Sequence, residues 1–203
     1  MTIHKEGFTN IAICILLIFL LNAIIQFYIP QAHIFKWIVY ILSFVFFAAT
    51  LWFFRNPAVE IAASNKAVLS PADGTITAIG EVNENEFAKG RYTKVSIAMA
   101  PTDMRVNYSP ISGTVKYTQN NGHATIAVES ETGAMVLYRQ LPGYTRHVVT
   151  YAKQGDAITQ ENQIGFAMGG ANVEVLVPLG SVVGVQVNDV VKGGQTVLAQ
   201  LKS

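Results

Sequence analysis

One cysteine, Cys14, stands in the whole chain, so no intrachain disulfide can form and cysteine-based zinc sites are excluded. Charge is scarce as well: Asp, Glu, Lys and Arg make up 13% of 203 residues while 51% are hydrophobic, and mean hydropathy is +0.34. Soluble domains carry about 25% charged residues, so part of this apolar content must face lipid. The formal net charge is +1 and the basic residues form no long run, which removes the electrostatic footprint a nucleic-acid binder needs. His123 and His147 have no carboxylate or cysteine at ligand spacing, so no metal site is expected. The lone thiol is compatible with a reducing compartment.

Residues 7–35 contain no Asp, Glu, Lys or Arg, and the apolar core at 11–29 matches the roughly 20 residues that cross a bilayer. After Pro30, Gln31, Ala32, His33 and the single cation Lys36, a second uncharged run at 37–54 stops at Arg55-Asn56-Pro57. The first run is too long for a signal-peptide core and no small-residue cleavage site follows it. Residues 1–56 therefore read as a transmembrane helical hairpin with both ends on one side of the membrane. Lys5, Arg55 and Lys66 flank the outer ends and Lys36 sits in the turn, which predicts a bacterial-type inner membrane with the following domain in the cytoplasm. Trp37, Trp52, Tyr28 and Tyr40 fall near the span ends, where interfacial aromatics belong. Asn22 and Gln26, one turn apart, are candidates for hydrogen bonds to a partner helix.

From about residue 67 the pattern changes to short β-branched runs broken by Gly, Pro, Asn and Asp, the mark of an all-β domain, which is assigned to 57–203. Strands are predicted at 74–82, 92–98, 113–119, 125–130, 134–141, 147–151, 173–177, 182–187 and 196–201, with no helix of ordinary length. Two internal echoes are visible. Ser70-Pro71-Ala72-Asp73-Gly74 parallels Ser109-Pro110-Ile111-Ser112-Gly113, and the segment at 153–158 parallels the one at 190–197. Such strand-and-turn units occur in hammerhead-like barrels, but no lysine sits at a hairpin tip as a lipoyl carrier requires.

Several motifs resemble the short-form phosphatidylserine decarboxylases and their archaetidylserine relatives. Phe53-Phe54-Arg55-Asn56-Pro57 is similar to that family's FFRDP junction, and Ser70-Pro71-Ala72-Asp73-Gly74 to its SPADG turn. Met99-Ala100-Pro101-Thr102-Asp103-Met104-Arg105-Val106-Asn107 resembles its MSPFDVHVN strand. Tyr138-Arg139-Gln140-Leu141-Pro142-Gly143 follows, then Gly165 to Pro178 with Gly170-Ala171-Asn172 where the family reads GSR. The resemblance implies a hammerhead or barrel-like β fold. It also implies a chemistry: self-cleavage at a Gly-Ser bond leaves a pyruvoyl group that condenses with the substrate amine and accepts electrons as carbon dioxide leaves, with an Asp and a His moving protons.

Position by position, Asp73 matches the acidic residue, Arg105 stands in place of the histidine and Ala171 in place of the serine. A guanidinium has no free acceptor with which to take a proton, and a methyl has no oxygen with which to attack. Asn172 replaces the arginine after the serine, and the segment after the third strand is cut to Asn120-Asn121-Gly122-His123. Gly180-Ser181 is the only Gly-Ser dipeptide, and it reads as a surface turn. These departures lead to the expectation of a site degenerate at Asp73, Arg105 and Ala171, with no pyruvoyl cofactor. The function expected with it is a non-catalytic, structural or accessory subunit of a membrane protein complex, partnered by membrane lipid and a membrane protein. The alternatives are a lipid head-group-binding module and a decarboxylase captured in an inactivated form. Arg146 and His147 match a basic pair of the family that is placed to hold a lipid phosphate. An Arg105 to Asp73 ion pair is expected in place of the old catalytic dyad.

Overall fold

The computed structural model describes residues 2–56, 59–64, 66–143, 148–167 and 171–202. The chain divides into two compact units, Met1–Ala58 and Val59–Ser203.

In the first unit, β1 (Thr2–Ile3) pairs antiparallel with β2 (Arg55–Asn56), and between them run α1 (Phe8–Tyr28) and α2 (His33–Phe53). Each helix has 21 residues, about 31 Å at 1.5 Å per residue, which is the thickness of a hydrocarbon layer. Most of their large apolar side chains point outward, among them Phe19, Leu20, Phe44 and Phe46, as lipid-facing helices require. Polar contacts join the two: Asn22 donates to Ser43 Oγ at 3.2 Å and Cys14 Sγ lies 3.7 Å from Thr50 Oγ1. Asn22 thus finds its partner within the hairpin. Lys36 is buried and its Nζ donates to Pro30 O at 2.6 Å, so the one cation of the turn helps to close the end of α1. Gly7 leaves room for Phe54, whose Cβ stands 2.7 Å from where a Cβ on Gly7 would be.

The second unit is all β among its described residues. Its strands are β3 (Ala67–Leu69), β4 (Gly74–Glu84), β5 (Gly90–Ala98), β6 (Val106–Tyr108), β7 (Gly113–Asn120), β8 (Ala124–Glu129) and β9 (Met135–Leu141). They continue as β10 (Val148–Thr150), β11 (Ala157–Ile158), β12 (Gln163–Ala167), β13 (Asn172–Pro178), β14 (Val182–Val183), β15 (Val190–Val191) and β16 (Val197–Gln200). Eight strands in the order β11-β7-β8-β9-β13-β5-β4-β15 form an antiparallel sheet that curls as a half-barrel. Two three-stranded sheets, β10-β12-β6 and β14-β16-β3, complete the domain. Alternation places Val173, Val175 and Val177 in the main core with Ile76, Ile97 and Leu198. Leu176 faces the other way, into a second cluster with Tyr92, Ala127 and Leu137.

The strand expected at 182–187 is only Val182–Val183, and Val190–Val191 forms a separate strand on β4. The cause is a turn. Asn188 adopts φ +75, and Asp189 Oδ2 accepts from Gln186 N at 2.7 Å. The first internal echo is real in three dimensions. Ser70 Oγ donates to Ala72 O at 2.7 Å and Ser109 Oγ to Ile111 O at 2.6 Å. The two turns also exchange backbone bonds, Leu69 N to Pro110 O and Tyr108 N to Pro71 O. A Cβ on Gly74 would strike the Ala98 carbonyl oxygen, and one on Gly113 the Glu129 carbonyl oxygen, so both positions need glycine.

The second echo has another register from the one the sequence suggests. Val115 N donates to Asp156 O, and Ile76 N donates to Asp189 O. Asp156 Oδ2 also accepts from Lys153 N, as Asp189 Oδ2 does from Gln186 N. The counterpart of 153–158 is therefore 186–191. Glycine content misled the comparison, because Asn188 fills the left-handed position that Gly155, at φ +94, fills in the first copy.

Candidate active site

The central sheet brings the family positions to one end. Thr75 pairs with Ala98, and Ala98 pairs with Asn172, so the start of β4, the end of β5 and the start of β13 lie in a row. Asp73 precedes β4, Ala171 precedes β13, and the loop after β5 carries Arg105. With strands about 4.8 Å apart, Asp73 and Ala171 flank β5 at a backbone separation of about 10 Å.

Asp73 is half-buried, and its Oδ1 accepts from Gly193 N at 2.8 Å. The pseudo-equivalent Ser112 makes the matching contact, its Oγ accepting from Gln160 N at 3.1 Å. That bond is thus a feature of the repeated turn, and it leaves Oδ2 of Asp73 for other work. The Asp73 charge reaches Tyr108, whose phenol is pushed above its ordinary pKa first by burial and further by this carboxylate, against an opposing hydrogen bond with Gln163.

Arg105 is only 7% exposed, its Nη2 donates to Pro101 O at 2.6 Å, and its carbonyl accepts from Ala167 N at 2.8 Å. Burial lowers the pKa of its guanidinium. No ion pair links Arg105 to Asp73 among the described residues, which corrects the expected pairing. The Arg105 head is drawn to the turn at Pro101, and the Asp73 oxygen nearest a donor is held by a backbone N–H on a different loop.

Ala171 is 6% exposed, sits in the main core and accepts from Met99 N at 2.9 Å through its carbonyl. Gly170 before it lies outside the described residues, as do Arg146 and His147. Gly180-Ser181, the one Gly-Ser dipeptide, lies beyond the far end of β13, a strand about 20 Å long that starts just after Ala171. There Ser181 Oγ donates to Pro178 O at 2.8 Å, closing a surface turn.

Sequence reasoning overlooked a buried polar network beside the site. Asn107 Nδ2 donates to Tyr138 OH at 2.7 Å and Gln140 Oε1 at 3.2 Å, Tyr138 OH donates to Gln140 Oε1 at 2.8 Å, and Gln140 Nε2 donates to Phe166 O at 3.2 Å. Asn107, Tyr138 and Gln140 are fully buried, and burial raises the Tyr138 phenol pKa strongly. Gly165 makes room for them: a Cβ there would sit 3.1 Å from Gln140 Oε1 and 3.3 Å from Tyr138 OH. The available signal was that polar Asn107 and Gln140 both fall inside apolar strand motifs.

A sequence profile described as phosphatidylserine decarboxylase matches residues 46–131. A protein of Cytophaga hutchinsonii named phosphatidylserine decarboxylase proenzyme is 32% identical over 220 aligned positions, covering 100% of both chains. The chain belongs to the phosphatidylserine decarboxylase family, a family of lyases. Proteins with the same name from Porphyromonas gingivalis and Amoebophilus asiaticus are 34% and 31% identical, each over 99% of this chain and over 99% and 97% of their own length. An alignment longer than this chain's 203 residues means that the Cytophaga protein carries segments absent here. No solved structure matches.

These relatives overturn the expectation of a non-catalytic accessory subunit, and of its alternatives they favour the decarboxylase. They are named as ordinary decarboxylase proenzymes from end to end, and nothing among them points to an accessory role.

Proposed function

We propose that this membrane-anchored chain acts on phosphatidylserine as a carbon-carbon lyase, releasing the carboxyl of the serine head group as carbon dioxide. The observation that supports this reading is the match of the entire chain, anchor included, to phosphatidylserine decarboxylase proenzymes. The hairpin would hold the β domain beside its lipid, and the cations at the outer ends favour the cytoplasmic side of a bacterial inner membrane.

Among the described residues we assign the proton transfer to Asp73, whose Oδ1 is held by Gly193 N and whose Oδ2 would face the substrate. The residues do not fit a pyruvoyl group at position 171: the side chain is a buried methyl, and the neighbouring cation Arg105 cannot act as the base. Decarboxylation beside an amine still requires an electron sink, so the reading stands or falls on turnover. The test is to reconstitute the purified full-length chain in vesicles containing phosphatidylserine labelled at its carboxyl carbon, and to follow labelled carbon dioxide and phosphatidylethanolamine. Stoichiometric appearance of both is expected. Absence of both, with the β domain shown to be folded, rejects lyase activity.

A further inference from the structure

We infer that the exposed valines around the turn at 192–196 form a docking surface for the phospholipid bilayer, and that this surface sets how deep the candidate active site sits at the membrane. The turn is where the chain arriving from the anchor is fastened. Ala62 N donates to Gly194 O at 3.0 Å, and the Ile61 side chain lies where a Cβ on Gly194 would be. Nine residue steps run from Phe53, where α2 ends, to Ala62, a covalent length of at most about 32 Å.

Exposed valines lie in the segments on either side of this fastening point. Val190 is 77% exposed and Val197 37%, one on each side of the turn, and the preceding segment adds Val182 at 69% and Val187 at 47%. Residues 182–188 carry no charge; Asp189 is exposed beside Val190, and the exposed Lys192 and Lys202 outnumber it and suit the anionic head group of phosphatidylserine. Apolar side chains with flanking lysines, on a domain that cannot leave the membrane, are partnered by the lipid interface at little entropic cost because the tether keeps them there. The same turn carries Gly193, whose N–H holds Asp73 Oδ1. Lipid contact at Val190 and Val197 therefore bears on the backbone that positions the site's carboxylate.

This inference rests on membrane anchorage by α1 and α2 and not on turnover, so loss of the lyase reading leaves it standing. The test uses the full-length chain with Cys14→Ser and one new cysteine at Val190, at Val197 or at Asn121 on the β7–β8 turn, each labelled with an environment-sensitive fluorophore in phosphatidylserine-containing vesicles. Probes at 190 and 197 should emit to the blue of the probe at 121 and be quenched several-fold more by lipids bearing a nitroxide at the head group. Equal quenching at all three positions overturns the proposal. So does a blue shift that grows with protein density without lipid quenching, which would assign the surface to a second copy of the chain. Hydrogen exchange of the natural chain guards against misfolded variants: residues 182–197 should gain protection on moving from detergent to vesicles, and no gain overturns the proposal.

Discussion

Replacing Gln140 by leucine tests whether the buried network beside the site is a structural keystone of the β domain. Gln140 Oε1 accepts from Tyr138 OH and Asn107 Nδ2, and its Nε2 donates to Phe166 O, so the change takes the acceptor from two buried donors and removes the donor to the Phe166 carbonyl. An orphaned buried polar group costs about 1–3 kcal/mol, and Asn107 and Tyr138 still bond to each other, so the expected loss is about 3 kcal/mol. Tyr138→Phe should cost about 1 kcal/mol, because Asn107 and Gln140 retain their own bond at 3.2 Å. In a domain of this size these losses correspond to drops in Tm of about 6–12 °C and 2–4 °C. Near-UV circular dichroism of the detergent-solubilised chain during heating reads both. A Gln140→Leu protein as stable as the natural one, or less affected than Tyr138→Phe, refutes the reasoning.

Ala171→Ser alone should leave the chain uncut at 22.1 kDa by intact mass, because the new hydroxyl gains no base while Arg105 is tied to Pro101 O; cleavage in that single variant would contradict the argument, and cleavage is expected only when Arg105→His is added. Gly113→Ala should cost at least about 2 kcal/mol in urea unfolding, since its Cβ would meet the Glu129 carbonyl, whereas Gly80→Ala, whose Cβ would meet nothing, should cost less than half as much. Glu84 is buried, which by itself raises its carboxyl pKa, but bonds from the N–H groups of Glu86, Ala88, Phe87 and Lys89 together bring it below the ordinary value. A carboxylate whose folded pKa is depressed stabilises above its unfolded pKa, near 4.3, and that contribution fades as pH falls through the folded value. Glu84→Gln should therefore lower stability at pH 7, with the difference from the natural chain shrinking below about pH 4; a difference independent of pH would refute the assignment.

The membrane hairpin was legible in the sequence because a lipid-spanning helix satisfies its own backbone, so an uncharged run of sufficient length determines the element without reference to anything distant. The longer strands of the β domain were legible for a related reason: alternation along β13 and the Pro and Gly turns before β4 and β7 are local signals. Tertiary structure alone decided the partners. Asp73 bonds to Gly193, 120 positions away, and not to Arg105; no local pattern carries that information. Short strands such as Ala67–Leu69 and Val190–Val191 exist only because longer neighbours present unpaired backbone, and a two- or three-residue run has too little periodicity to announce itself. The register of the second repeat was hidden for the same reason, since Asn188 and Gly155 share a left-handed backbone conformation that their side chains do not advertise. The network of Asn107, Tyr138 and Gln140 joins β6 to β9, strands of different sheets, and buried amides find one another only after those sheets have closed around them.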